Sequence, residues 1–126
     1  MSAGIPADRS PIVKVSEVQF TTATYNDPAL TERLAGVFSR ALGAENVVKL
    51  PPVMMSEDFG YLSLDKAIPS VDFSLGAVDP EKVKQSRLAG TQLPSLHSAL
   101  FAPLPEPTLR TGVKAMTSAV LDLMKK

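Results

Sequence analysis

Two short stretches combine ionisable side chains with apolar neighbours in a way that could support chemistry. The stretch from Met54 to Gly60 contains two adjacent carboxylates, Glu57 and Asp58. The stretch Leu96-His97-Ser98 holds the only histidine of the chain. Imidazole and carboxylate groups bind divalent metals and exchange protons near neutral pH. We therefore interpret the rest of the sequence as elements that position these two stretches.

Each stretch also has a plainer interpretation. A single histidine between a leucine and a serine is most often a packed or surface imidazole. Two acids at the start of a helix complement the helix dipole without any catalytic role. A metal site needs three or four protein ligands, a number that His97 with Glu57 and Asp58 barely reaches. No nucleophile-elbow motif surrounds the serines beside His97, and no glycine-rich phosphate loop is present.

Composition excludes several classes of function. The 126 residues suit one domain or a piece of a larger one. Thirteen basic and thirteen acidic residues cancel, so neither nucleic acid nor an anionic membrane is an expected partner. The absence of cysteine excludes disulfides, thiolate metal sites and cysteine nucleophiles. No apolar run could span a bilayer, and Met1 to Ser10 does not resemble a secretory signal, so we expect a cytoplasmic location.

The residue patterns predict an α/β fold in which helices pack on a small, mainly parallel sheet. Helix 28–42 should begin at Asp27-Pro28 and end at Gly43. A second helix should begin near Ser56, with its buried side formed by Phe59, Leu62 and Leu64. A third helix, 107–124, carries a stripe of large apolar residues that should pack on the sheet.

Three segments should provide the strands. They are 12–20, which is rich in β-branched residues, 46–50, and 70–76, in which Val71, Phe73 and Leu75 alternate with polar residues. Residues 77–94 should form a solvated loop, and 1–11 a flexible lead-in to a single α/β unit, 12–126.

Several motifs together resemble the C-terminal part of metal-dependent amidohydrolases of the aminoacylase and carboxypeptidase superfamily. The similar branch contains hippurate hydrolase, N-acyl amino acid amidohydrolases and auxin-conjugate hydrolases. The resemblance runs in order over nearly the whole chain from about residue 12. Its motifs are Tyr25-Asn26-Asp27-Pro28-Ala29-Leu30, Met55-Ser56-Glu57-Asp58-Phe59, Pro69 through Gly76, Leu96-His97-Ser98 and Thr108-Leu109-Arg110-Thr111-Gly112-Val113.

The resemblance implies a chemistry and a set of site residues. Such enzymes hydrolyse amide bonds in N-acyl amino acids with two divalent metals, which are zinc, manganese, cobalt or nickel. The histidine of the Leu-His-Ser motif, here His97, is implied to be a metal ligand. Glu57 and Asp58 are implied to lie beside the metal centre, where they could orient ligands or contact substrate. We therefore expect His97 to lie close in space to Glu57 or Asp58.

The chain also departs from the family's pattern. The other metal ligands and the general-base glutamate of family members lie in an N-terminal half that has no counterpart here, and Ala99 replaces the usual proline. The lid domain is missing, except that 12–20 resembles its last strand. The resemblance thus implies a fragment of a zinc-peptidase-like catalytic domain that is inactive alone. Its partner would be the missing half or a second copy. The alternative is a non-catalytic α/β binding or oligomerisation module derived from that family.

Overall fold

The computed structural model describes residues 4, 6–16, 21, 23–54, 57–64 and 66–125. These residues form three α-helices: α1 (Pro28–Leu42), α2 (Pro80–Ala89) and α3 (Pro105–Leu123). Short 3₁₀ helices occur at Ala7–Arg9, Ala44–Asn46 and Asp58–Ser63. No β-strand is present in this described part of the chain, so the predicted α/β fold with a mainly parallel sheet is wrong. None of the helices in it is long and apolar enough to cross a membrane.

Both predicted ends of helix α1 are confirmed. The Asp27 side chain accepts a hydrogen bond from the Leu30 amide at 2.8 Å, and Pro28 takes the first helical position, where its missing amide hydrogen costs nothing. Gly43 ends the helix with a φ of 95°, which a residue with a side chain rarely adopts. Leu34, Val37 and Phe38 are buried along one face and form most of the core.

Helix α3 packs on α1 through small residues, not through the predicted stripe. Ala115 and Ala119 are buried against the core side chains of α1. Small side chains at such a contact let two helix axes approach closely. Five large apolar residues of α3 lie beside this contact and are 46 to 68% exposed; they are Leu109, Val113, Met116, Val120 and Leu123. The prediction that these residues are buried against a sheet is therefore wrong.

Segment 70–76 is extended, and its alternation indicates correctly which side chains face the core. Val71 and Phe73 pack against the core cluster, and the ring centroids of Phe73 and Phe38 are 4.9 Å apart. Asp72 and Ser74 are exposed. The segment packs on helices and pairs with no strand among the described residues, which explains why a pattern typical of a half-buried strand gave no sheet.

The side chain of Asn26 bonds the backbone of this segment as a neighbouring strand would. Its Nδ2 donates to the Asp72 carbonyl at 2.7 Å, and its Oδ1 accepts from the Asp72 amide at 2.8 Å. The Asp27 amide donates to the Ser70 carbonyl at 2.9 Å. Residues 26 and 27 therefore join the extended segment to the start of α1.

Replacing Asn26 by aspartate should lower the free energy of unfolding by about 1 kcal/mol. The new carboxylate keeps the acceptor for the Asp72 amide but loses the donor to the Asp72 carbonyl. The effect is modest because the side chain is exposed and water can replace part of the bond. Urea unfolding measures the change, with Asp72→Asn as the control that leaves the backbone groups intact. Equal stability of Asn26→Asp and the unmodified chain would contradict this role.

Other predicted elements need correction. Residues 44–46 form a 3₁₀ helix and 47–50 an irregular segment in which only Val47 packs on the core. Residues 12–16 have no regular structure and are exposed, whereas 17–20 lie outside the described residues.

The predicted loop 77–94 contains α2, which has an Asp79 cap, Pro80 at its first turn and Gly90 at a φ of 63°. Helix α2 packs against no other helix in the described part of the chain.

Asp122 connects the two packed helices. Arg33 of α1 donates through Nε to Asp122 Oδ2 and through Nη2 to the Asp122 carbonyl, both at 2.8 Å. Arg40 and Lys125 lie 3.9 and 4.0 Å from Asp122 Oδ1. The hydrogen bond from Arg33 holds the pKa of the Asp122 carboxyl below its ordinary value, against the opposing effect of burial. The charges of Arg33, Lys125 and Arg40 act in the same direction as the hydrogen bond.

The stability that Asp122 contributes should depend on pH. A carboxyl whose pKa is lower in the folded state stabilises the fold above its unfolded pKa of about 3.9 and loses this effect as pH falls through the folded value. Asp122→Asn should therefore destabilise the protein at pH 7, and the difference should shrink as the pH drops below about 4. Urea unfolding at several pH values tests this. The control is Glu106→Gln, which removes the exposed ion pair with Arg110. A difference that is the same at every pH would contradict it.

Candidate functional site

The motif Leu96-His97-Ser98 lies in a tight turn between α2 and α3. The Ser98 amide donates to the Ser95 carbonyl at 3.0 Å, so Leu96 and His97 occupy the two central positions of the turn. Ser98 opens a second turn, since its Oγ accepts from the Leu100 amide at 3.1 Å and its carbonyl accepts from the Phe101 amide at 3.0 Å. These bonds hold the backbone on the C-terminal side of the histidine.

The imidazole of His97 is exposed at this turn. Within the described residues it makes no hydrogen bond and no ion pair. Further along the chain, the Leu104 amide donates to the Ala77 carbonyl at 2.8 Å, which joins the end of this loop to the end of the extended segment. The turn therefore exposes an imidazole whose nitrogen atoms make no bond to the described residues. The loop that carries this turn is fixed at its C-terminal end by the bond between Leu104 and Ala77.

The two carboxylates lie at the start of a short 3₁₀ helix, Asp58–Ser63. The side chain of Glu57 caps this helix by accepting a hydrogen bond from the Phe59 amide, and Asp58 is exposed in the first turn. The predicted cap Ser56 lies outside the described residues. Phe59 is half-buried as predicted, but Leu62 and Leu64 are exposed, so the prediction of a longer helix with three buried residues is wrong.

Local hydrogen bonds determine the conformation of the segment that follows Glu57 and Asp58. The buried Ser63 hydroxyl donates to the Gly60 carbonyl at 2.7 Å, and the Ser63 carbonyl accepts from the Ile68 amide at 3.0 Å. The Lys66 ammonium lies 4.8 Å from the centroid of the Tyr25 ring, a cation–π contact. This contact joins the segment to the residues just before α1.

The structure does not link the two halves of the candidate site. No hydrogen bond or ion pair connects His97 with Glu57 or Asp58 in the described part of the chain, and their predicted proximity stays a prediction. No three histidine, aspartate or glutamate side chains among the described residues are grouped so that they could hold a metal ion. A single imidazole such as that of His97 can supply one ligand of a metal site.

Two features of the structure are not indicated by the sequence patterns. One is the Asn26 side-chain amide, which bonds the backbone of Asp72 in the extended segment. The other is the exposed apolar face of α3, which looked like a core stripe because its spacing is helical.

Comparison with known proteins adds no family assignment. None of the protein-family models matches the sequence, and no solved structure matches the chain.

Proposed function

We propose that this chain supplies part of the active site of a metal-dependent amidohydrolase that acts on N-acyl amino acids. In this proposal His97 is one metal ligand, while Glu57 and Asp58 lie on the substrate side or behind the ligands. The observation that carries the proposal is the exposed imidazole of His97, held in a turn within the Leu-His-Ser motif and free of any bond in the described part of the chain.

The three side chains suit these roles chemically. A neutral imidazole nitrogen is the commonest protein ligand of a divalent metal. Divalent metals at such a site would polarise the amide carbonyl and lower the pKa of bound water. Exposed carboxylates beside the site can hold a ligand in its orientation or accept a hydrogen bond from substrate, as is expected of Glu57 and Asp58.

The large exposed surface of the chain supports the need for a partner. A folded monomer of 13.4 kDa should expose roughly 6,500 Å². This chain exposes 10908 Å², and among the residues that the structure describes five apolar side chains are buried in the core. A second polypeptide that supplies the remaining ligands could cover part of this surface.

Complementation tests the proposal. The chain is mixed with the N-terminal half of a family member that carries the other metal ligands and the general-base glutamate, and hydrolysis of N-acyl amino acids is followed with manganese, cobalt, nickel or zinc. We expect the mixture to hydrolyse substrate in a metal-dependent manner and neither half to do so alone. Co-elution of the two halves without metal-dependent hydrolysis would contradict the proposal.

A further inference from the structure

The extended segment 70–76 has one bonded edge and one free edge. In an extended backbone the amide and carbonyl of one residue point to the same edge, and those of the next residue point to the opposite edge. Asn26 bonds both backbone groups of Asp72 on one edge. On the opposite edge, no backbone amide or carbonyl between residues 71 and 75 is hydrogen-bonded to the described residues. We call this the outer edge; its residues are Val71, Phe73 and Leu75.

Side-chain packing holds the outer edge in the conformation of a strand. Val71 and Phe73 pack on the core cluster. Leu75 lies against α3, where a Cβ added at Gly112 would be 3.1 Å from Leu75 Cδ2. Because three alternate side chains are fixed, the backbone groups between them keep the regular spacing of a strand. A second extended backbone is the partner that matches such an alternation of amides and carbonyls.

Residues 12–15 of the same chain have the composition of a strand that the fold leaves unused. Ile12, Val13 and Val15 are 78 to 89% exposed, and β-branched residues of this kind are enriched in strands. Residues 12–15 have no regular structure and make no hydrogen bond to the described part of the chain. Lys14 is exposed and has no ion pair there. Their backbone is therefore free to join an edge.

We propose that residues 12–15 of one copy add to the outer edge of a second copy as an antiparallel strand, and that the exchange is made in both directions. The chain's own structure leaves both segments unpaired among the described residues, so the pairing is between copies. Each copy provides one edge and one strand, and the exchange therefore closes as a two-fold dimer. Three facing pairs define the register: Val13 with Phe73, Lys14 with Asp72, and Val15 with Val71.

Charge and side-chain polarity favour this register. The Asp72 side chain is exposed and has no ion pair within the described residues. Lys14 faces it in a non-hydrogen-bonded pair, where the Cα atoms are only about 4.5 Å apart and opposite charges stabilise the pairing. Val13 and Val15 then lie on the same side as the core-facing residues of the edge, next to apolar neighbours. A shift by one residue would place Lys14 on that apolar side.

Oligomeric state is the first test. Sedimentation equilibrium across a concentration series should show a species of twice the 13.4 kDa chain mass. Val13→Pro removes the amide that donates to the Phe73 carbonyl in each half of the dimer, and it should raise the dissociation constant at least about tenfold. Circular dichroism should show the same helix content as in the unmodified chain, because residue 13 is exposed.

Ile12→Pro is the matched control for this variant. The Ile12 amide points away from the outer edge in the proposed register, so its loss should change the dissociation constant by no more than about twofold. A monomer at all concentrations, or a dimer that Val13→Pro leaves unchanged, would overturn the exchange. Equal weakening by the two prolines would overturn the register.

A charge exchange tests the pair Lys14 and Asp72. Lys14→Glu and Asp72→Lys each place like charges opposite one another, so each variant alone should dimerise several-fold more weakly. An equimolar mixture of the two variants should form a heterodimer, because every facing pair is again of opposite charge. A mixture that associates no better than the single variants would overturn the register.

Disulfide formation shows whether the exchange is between copies. The chain contains no cysteine, so single cysteines can be introduced without background. Lys14→Cys mixed with Asp72→Cys should form the mixed disulfide several-fold faster than Lys14→Cys mixed with Ser74→Cys, whose cysteine lies out of register. The double variant Lys14→Cys/Asp72→Cys should give a disulfide-linked dimer. A monomer with an internal disulfide would overturn the exchange.

The exchange does not rest on the proposed function. Its measurements need neither metal nor substrate, and neither residues 12–15 nor the outer edge belongs to the candidate site. Loss of the dimer in Val13→Pro with hydrolysis retained in the complemented mixture supports both proposals. A monomeric unmodified chain that still complements hydrolysis would overturn only the exchange.

Discussion

Replacing Phe38 by alanine is expected to lower the free energy of unfolding by about 3–5 kcal/mol. Phe38 is buried in α1, and its ring packs against that of Phe73 with the centroids 4.9 Å apart. It therefore holds the extended segment 70–76 against the helices. The loss should be large relative to the total, because the free energy of unfolding of a folded domain is usually only about 5–15 kcal/mol.

Thermal and urea unfolding followed by circular dichroism measure this effect. We expect Phe38→Ala to unfold without a cooperative transition at 25 °C, or with a midpoint far below that of the unmodified chain. Phe101→Ala is the matched control, because Phe101 is half-buried and lies outside the core cluster. Similar losses in the two variants would show that the core is not centred on Phe38.

The ends of a helix can be predicted from the sequence when the prediction relies on the capping residues. Asp27-Pro28 and Gly43 predicted α1 with both bounds correct. The same signals, Asp79-Pro80 and Gly90, bound α2, although the mostly polar composition of 77–94 predicts a loop. Capping chemistry acts on the backbone and does not require a buried face, so it can start and end a helix that packs on nothing.

Tertiary partners were less predictable than local structure. The alternation in 70–76 identified which side chains are half-buried, but it could not say whether a strand or a helix covers them. In α3 the sequence offers two stripes at helical spacing, one of large residues and one containing Ala115 and Ala119. Large apolar residues usually mark the buried side, yet the close contact with α1 uses the small ones.

The sequence motifs indicated which residues are candidates for the site, but not the backbone conformation in which the structure holds them. The Leu-His-Ser motif identified His97, but its position in a double turn depends on backbone bonds from Ser98 that no spacing rule indicates. At Glu57 the sequence predicted a helix start close to the observed one. The cap itself is Glu57, whose longer side chain reaches the Phe59 amide.

Replacing His97 by alanine should reduce hydrolysis by the complemented mixture at least about 100-fold. Loss of a group that only orients a metal ligand commonly costs 10–100-fold, and loss of the ligand itself should cost more. The stability of the isolated chain should not change, because the His97 side chain is exposed and makes no bond in the described part of the chain. Initial rates at saturating metal, together with urea unfolding, measure both quantities.

Leu96→Ala is the matched control for this variant. Leu96 is the other central residue of the same turn and is also exposed, but it has no donor atom for a metal. It should retain most of the hydrolytic rate. Equal losses in Leu96→Ala and His97→Ala would assign the effect to the turn, and full activity of His97→Ala would remove His97 from the site.

The most direct test of the central claim is amide hydrolysis by the chain alone. Purified chain and His97→Ala are each supplied with manganese, cobalt, nickel or zinc and with a panel of N-acyl amino acids. We predict no difference between them, because one imidazole cannot hold a hydrolytic metal that needs about three protein ligands. Robust turnover by the chain alone that His97→Ala abolishes would contradict the account, since these 126 residues would then contain a complete site.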